Sequence, residues 1–382
     1  MTADNHRVPE RRRTLVLVLA ATVLTLGLGL LLKLPCAGGD WSDGRQYTRL
    51  CYSDIVPLYG LRGLAEGQTP YLEADNEYPV LTGVTMWAAA APAGSTASFF
   101  GWTAVLLSAG AVVVAWTVHA TAGRRALFLA LAPTLAVHAF TNWDLVAVAL
   151  ASAGTLLFFR GRDSPAGLLL GLGAAAKLYP ALLVIPFALD RLRSGRRRGA
   201  GRLAGWVAGA WAAVNVPVAL AAPERWSEFF RFSSERPADW DSLWLLAQHH
   251  LGFPPSTAAV NAASAVAFAG LGLLVWRLRG RGSPPWQFAF PLLVMFLVTS
   301  KVYSPQFSLW LLPWFALALP DVRAFAAFSV TEVAVFVTRF TWFGDIEAQP
   351  FPSPAFQAAL LARAAVLVGC VVLWVRRSRV TA

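Results

Sequence analysis

The chain is short of charge. Asp, Glu, Lys and Arg make up only 14% of its 382 residues, against 57% hydrophobic. Long apolar runs recur near the roughly 17–25 residues that cross a bilayer as helix, so the composition describes a polytopic membrane protein. Catalytic and metal signatures are also missing: no HExxH, CxxC or Walker pattern occurs, and the adjacent His249 and His250 cannot share a helix face as a metal pair would. No metal or other cofactor is expected. Nor is there an internal repeat of fixed period or a low-complexity linker, so residues 1–382 read as a single integral domain.

Acid is scarcer than base, with 21 Asp and Glu against 32 Lys and Arg, a net charge of +11. The excess does not imply a nucleic-acid partner, because 16 of the 32 basic residues lie in four short stretches: Arg7 to Arg13, Arg191 to Arg202, Arg277 to Arg281 and Arg376 to Arg379. Positive-inside topology explains that grouping. Conversely, 14 of the 21 acids fall in connections 35–79, 223–257 and 343–354, which are expected to be outer loops. Residues 14–34 follow a basic segment, but the apolar run is too long for a signal peptide and no small-residue cleavage site closes it, so it reads as a retained first span. Of three cysteines, Cys36 and Cys51 share the first outer loop, where an oxidising compartment permits a disulfide and leaves it open; Cys370 lies in the last apolar run.

The expected architecture is an all-α bundle of about twelve transmembrane helices with an amphipathic first outer loop. Its spans are 14–34, 80–93, 98–121, 126–141, 144–159, 165–189, 203–222, 258–276, 285–300, 304–319, 322–342 and 355–375, with both termini inside. Thr141-Asn142-Trp143-Asp144 is read as the N-cap of span 144–159. This count puts Arg124-Arg125 and Arg160-Gly161-Arg162 outside, against the charge bias. Ten spans remain if two marginal segments dip in and return.

Chemistry is sought where polarity interrupts these runs. The first loop holds Asp54, Arg62, Glu66, Glu73, Asp75 and Glu77 within two dozen residues. Asp54 precedes Ile55, Leu58, Leu61 and Leu64, an amphipathic stretch that, as helix, sets Asp54, Leu58 and Arg62 on one face. Asp54 is thus either a site carboxylate or a helix cap, with Arg62 on lipid phosphate. Lys177, central in span 165–189, is too deep to snorkel out, which asks for a wet cavity, a bound anion or a structural partner such as Asp144 or Glu332. The break at residues 300–310 offers Lys301, Tyr303 and Gln306 to the Asp54 side, with Pro305 opening the next span. Loop 223–257 sets Arg225, Arg231 and Arg236 among aromatics, suiting a lipid phosphate or a sugar face as readily as a helix on headgroups.

The pattern Asp54, Tyr59, Arg62, Gly67, Pro70-Tyr71 and Tyr78-Pro79, followed by Trp143-Asp144 and Gly171-Leu172-Gly173-Ala174-Ala175-Ala176-Lys177-Leu178-Tyr179-Pro180, resembles the glycosyltransferase 87 family of actinobacterial mannosyltransferases. The resemblance runs from the first span to about the tenth. It implies a GT-C-type bundle, a polyprenyl-phosphate-linked sugar donor, a glycan or glycolipid acceptor, and Asp54 as catalytic base. Donor-phosphate and substrate contacts are expected from Lys177, Tyr179, Lys301, Tyr303, Gln306, Arg62, Tyr59, Tyr78 and Glu77. The family's Trp-x-His-His ending is absent after Ser304-Pro305, where Trp310 has no histidine behind it.

The expected protein is therefore an inverting membrane glycosyltransferase, its sugar the mannose that the resemblance implies, at the outer face of a bacterial plasma membrane and in contact with membrane lipids. A lipid or solute transporter or flippase, and an inactive GT-C-like scaffold, are the competing readings.

Overall fold

A computed structural model describes residues 7–380; the remaining ends of the expected 1–382 domain lie outside the described residues. Among the described residues no strand forms, and the chain is a helical bundle. Helix α1 (Arg7–Lys33) is unbroken because its apolar run holds neither proline nor charge, and it closes in a 3₁₀ turn at Pro35. The Cys36–Cys51 disulfide left open by the sequence is formed, and beyond it come the short helices α2 (Arg45–Thr48) and α3 (Ile55–Leu61). After α4 (Val80–Ala90), Ser95 and Ser98 make a reciprocal capping box that starts α5 (Thr96–Ala122).

Prolines shape the centre of the chain. Pro133 separates α6 (Leu127–Ala130) from α7 (Pro133–His138), and α8 (Asp144–Phe159) follows. Helix α9 (Asp163–Ala176) stops where the ring of Pro180 would meet the Ala176 carbonyl, and a 3₁₀ turn leads into α10 (Val184–Arg193). Each break frees a carbonyl that a threonine from elsewhere takes up: Thr25 Oγ1 donates to Ala130 O at 2.7 Å, and Thr82 Oγ1 to Ala176 O at 2.7 Å. The remaining helices are α11 (Arg197–Ala221), α12 (Pro223–Glu235), α13 (Leu243–Leu251), α14 (Thr257–Leu278), α15 (Ala289–Thr299), α16 (Leu312–Leu317), α17 (Val322–Phe343) and α18 (Pro354–Val380).

Among the described residues six stretches are long and apolar enough to cross a membrane: Glu10–Cys36, Thr96–Ala130, Arg197–Ala221, Thr257–Leu278, Val322–Phe343 and Pro354–Val380. Contacts sort the connections to two ends of the bundle. At the basic end, Arg11 donates to Ala120 O, Arg193 to Ser283 O and Arg379 to Leu278 O, while Arg377 pairs with Asp321. At the loop end, Asp54 N donates to Thr141 O, Tyr59 Oη to Ala93 O and Trp244 Nε1 to Thr299 O.

This arrangement redraws four of the expected spans. Segment 80–93 does not run end to end: α4 has 11 residues, about 16 Å of helix, and both its flanks, Tyr78 and Ala93, contact loop-end groups. Segments 126–141, 165–189 and 304–319 are not continuous α-helices: Pro133 and Pro180 interrupt the first two, and the third is a 3₁₀ stretch, Pro305–Trp310, followed by α16 with Pro313 in its first turn. Residues 163–193 instead leave the basic end, turn after Ala176 and come back to it. Accordingly Arg160-Gly161-Arg162 joins the Arg191–Arg202 side, where Asp163 pairs with Arg191 at 2.7 Å and Arg196 at 3.2 Å, and Arg124-Arg125 lies just past the Ala120 contact of Arg11. The expected conflict with the charge bias disappears.

Three helical hairpins, 126–159, 163–193 and 285–317, therefore rise from the basic end and turn near residues 139–143, 177–178 and 300–304. The second is held by close packing. A Cβ on Gly167 would lie 2.4 Å from Leu203 O and one on Gly171 2.5 Å from Val207 O, so α9 and α11 meet backbone to backbone.

Candidate active site

The three hairpin tips and the first loop enclose a cavity of about 840 Å³. Asp54, Glu77, Tyr78, Lys177, Tyr179, Lys301 and Gln306 line it, together with Asn142, Arg236 and Arg339. Seven of the ten expected site residues are thus brought together from segments more than 200 residues apart.

Asp54 is the N-cap residue of α3 by position, but its carboxylate makes no capping bond. Instead Tyr52 Oη donates to Oδ1 at 2.8 Å and Asn142 Nδ2 to Oδ2 at 2.7 Å. The segment is docked through Ser53, whose hydroxyl donates to Phe140 O at 2.7 Å. Asn142 does not cap α8 as expected. Its Oδ1 accepts the Trp143 N–H at 2.7 Å, which fixes the amide, and its Nδ2 serves both Asp54 and Tyr78 Oη, the latter at 2.8 Å. The neighbouring Asp54 carboxylate raises the Tyr52 phenol above its ordinary range; burial, then Asp54, does the same to Tyr78. Both phenols stay protonated, Tyr52 donating to Asp54 and Tyr78 accepting from Asn142.

Lys177 is not mid-helix. It is the extended residue that ends α9, because Pro180 stops the helix there, so depth within a continuous span is not what buries it. Its ammonium stands 3.7 Å from Asp144 Oδ2 and over the rings of Tyr78 and Phe307, at 5.1 and 5.3 Å. Asp144 is fully buried and also accepts Trp310 Nε1 at 2.7 Å. Tyr179 and Phe307 stack on the two sides of that indole, at 4.3 and 4.2 Å. Glu332, the other partner considered for Lys177, belongs elsewhere: it accepts from Tyr303 Oη at 2.9 Å and lies 3.8 Å from Arg363.

Three expected residues do not reach the cavity. Tyr303 turns into that Glu332–Arg363 cluster, Tyr59 stacks on Phe99 at 4.7 Å, and Arg62 pairs with Glu77 at 2.6 Å. Lys301 reaches the wall, but its ammonium donates to the Ser234 and Arg236 carbonyls at 3.0 and 2.6 Å. It fastens loop 234–239 over the cavity and is not a free cation; burial lowers its pKa. Of the loop arginines, Arg236 lines the cavity and pairs with Asp239 at 2.8 Å, whereas Arg225 and Arg231 pair with Asp75 and Glu228.

Asn142, Tyr52 and Arg339 were not singled out by sequence. Arg339 approaches Asp241 at 3.0 Å, and burial pushes that carboxyl up to about 6. An arginine deep inside apolar run 322–342, seven residues past Glu332, was the available signal.

Such a site, a carboxylate and cations set in a deep cavity of a helical membrane bundle, defines a membrane protein that handles a polar or charged substrate. The chain belongs to Glycosyltransferase family 87, whose model matches residues 77–305, and it is a membrane glycosyltransferase. The match covers Asn142, Lys177 and Lys301 but begins after Asp54. No curated protein matches the chain.

Proposed function

We propose that the protein transfers a hexose, mannose by family resemblance, from a polyprenyl-phosphate donor to a hydroxyl of a glycan or glycolipid at the outer face of the membrane. The observation that carries this reading is the Asp54 carboxylate, oriented by two hydrogen-bond donors on the wall of the cavity that Lys177 also lines.

Asp54 takes the proton of the acceptor hydroxyl as that oxygen attacks the anomeric carbon. The phosphate leaves from the opposite face, so the anomeric centre inverts. A lipid phosphate is a good leaving group and asks for charge stabilisation more than for an acid, which Lys177 supplies, with Arg236 and Arg339 as further cationic walls. Asn142 and Tyr52 orient the base. An aromatic groove of Trp211, Trp226, Phe229 and Phe230 adjoins the cavity through Tyr78, Pro79 and Leu178, and suits an isoprenoid chain entering from the bilayer.

The test is Asp54→Asn assayed with polyprenyl-phosphate mannose and membrane acceptors. Turnover is expected to fall by roughly 10²–10⁴-fold with the fold intact. Near-normal turnover at saturating donor would remove Asp54 from the role of base. The interrupted helix at Lys177 is also a carrier's device. Product formed in detergent, where no second compartment exists, separates transfer from transport.

A further inference from the structure

At the basic end, far from the cavity of Asp54, a second cleft of about 470 Å³ opens beside the start of α11. Four arginines line it, Arg196, Arg197, Arg198 and Arg202, against a single acid, Asp163. That acid is already committed, to Arg191 at 2.7 Å and Arg196 at 3.2 Å. Among the described residues Arg197, Arg198 and Arg202 make no ion pair or hydrogen bond. The floor of the cleft exists because residue 199 is glycine: a Cβ there would stand 2.5 Å from Asp163 Oδ2.

Charge segregation crowds other arginines onto this end, and some of them are spent on protein: Arg279 lies over Trp276 at 3.6 Å and donates to Gly280 O and Ser283 O, Arg379 donates to Leu278 O, and Arg377 pairs with Asp321. What sets Arg197, Arg198 and Arg202 apart is that one cleft gathers them. Here three guanidinium groups surround a hollow with nothing to neutralise them. Like-charged forks held together call for a multivalent oxyanion, which guanidinium matches through paired N–H donors.

The surroundings indicate where that anion comes from. Trp206, one turn along α11 from Arg202, and Leu192, three residues before Gly195, are each 49% exposed, so apolar side chains of the kind that meet acyl chains stand close in the chain to the residues that line the cleft. We propose that the Arg196–Arg202 cleft binds the headgroup of an anionic phospholipid, with a headgroup of two phosphates preferred over one, as basic pockets between helices at a membrane surface do. This site is independent of the transfer reaction.

The test uses the purified full chain in neutral detergent at 0.15 M salt, with bound lipid counted by native mass spectrometry. The probes are tetraoleoyl cardiolipin, dioleoyl phosphatidylglycerol, dioleoyl phosphatidylcholine and sodium pyrophosphate. Cardiolipin is expected to bind at least about tenfold more tightly than phosphatidylcholine, the span of one well-made charged contact. The Arg197→Gln, Arg198→Gln, Arg202→Gln variant is expected to lose that preference, while Arg124→Gln, Arg125→Gln, on the same end without a cleft, keeps it. Equal loss in both variants, or no lipid preference in the wild type, overturns the proposal and needs no variant to fold in the second case. Pyrophosphate binding the lipid-free protein more tightly than cardiolipin, and lost in the triple variant, overturns the lipid assignment in favour of a soluble anion.

Discussion

Replacing Lys177 by methionine separates the two jobs its position gives it. The ammonium is 3.7 Å from a fully buried Asp144 carboxylate and keeps 13% of its side chain open to the cavity. At an effective dielectric of about 20, a pair at that distance attracts by roughly 4–5 kcal/mol before desolvation. Removing one member of a buried pair typically costs about 3–5 kcal/mol, and the partial exposure of Lys177 puts the expected loss near the lower figure. Trp310 still holds one oxygen of Asp144, so collapse is not expected. Denaturation of the detergent-solubilised protein measures this loss. Lys177→Met combined with Asp144→Asn removes the stranded charge and should recover most of it. Function should not recover. If Lys177 stabilises the donor phosphate, the double variant has lost a charge-assisted contact of about 1.5–3 kcal/mol, roughly a 10- to 150-fold fall in kcat/KM for the polyprenyl-phosphate donor. A double variant that is stable and transfers sugar at the wild-type rate at low donor would show that Lys177 serves only Asp144.

Asn142→Leu keeps the branched heavy-atom shape but removes the donor shared by Asp54 and Tyr78, so turnover should fall by about 10–100-fold while donor KM changes little; a normal kcat would refute its orienting role. Cysteines introduced near Asp43 should react with an impermeant reagent added outside, whereas those near Arg197 and Ser378 should not. One at Arg124 decides between the bundle and the expected twelve spans, because only the former keeps it unlabelled. Burial holds the Asp241 carboxyl at about 6, so the folded chain retains a proton that the unfolded chain has released by then. Wild type should therefore lose stability relative to Asp241→Asn as pH rises from about 4 to about 6, and parallel stability curves across that window would contradict the burial argument.

The gross class was legible because it depends on quantities that local sequence carries. Apolar run length marks membrane helices, and runs 14–34, 203–222, 258–276, 322–342 and 355–375 all appear as long helices with shifted ends. The grouping of arginine and acid marked the two ends, and the glycine-rich stretch before Lys177 marked the family. Hydropathy, however, counts residues without registering where a proline ring meets a carbonyl. Hydropathy therefore reads runs 126–141 and 165–189 as unbroken helix although each contains a break, and 80–93 as a span although it lies at one end.

What the sequence by itself determined is the membrane helix content, the segregation of charge, and a set of polar interruptions where chemistry had to sit. Which of those polar groups meet was decided by the tertiary structure. Asn142 is a plain capping candidate in sequence and becomes the link between Asp54 and Tyr78 only because a hairpin tip docks on the first loop. Tyr303 and Gln306 are three residues apart in one interruption, yet the backbone turn between them sends Tyr303 to Glu332 and Gln306 to the cavity. Lys301 and Lys177 carry the same charge, but one is consumed by two carbonyls and the other by a single carboxylate beside open space. Charge and residue type are properties of one position. Whether a cation is free to meet a phosphate depends on every atom within hydrogen-bonding reach, and those atoms come from segments that only folding brings together.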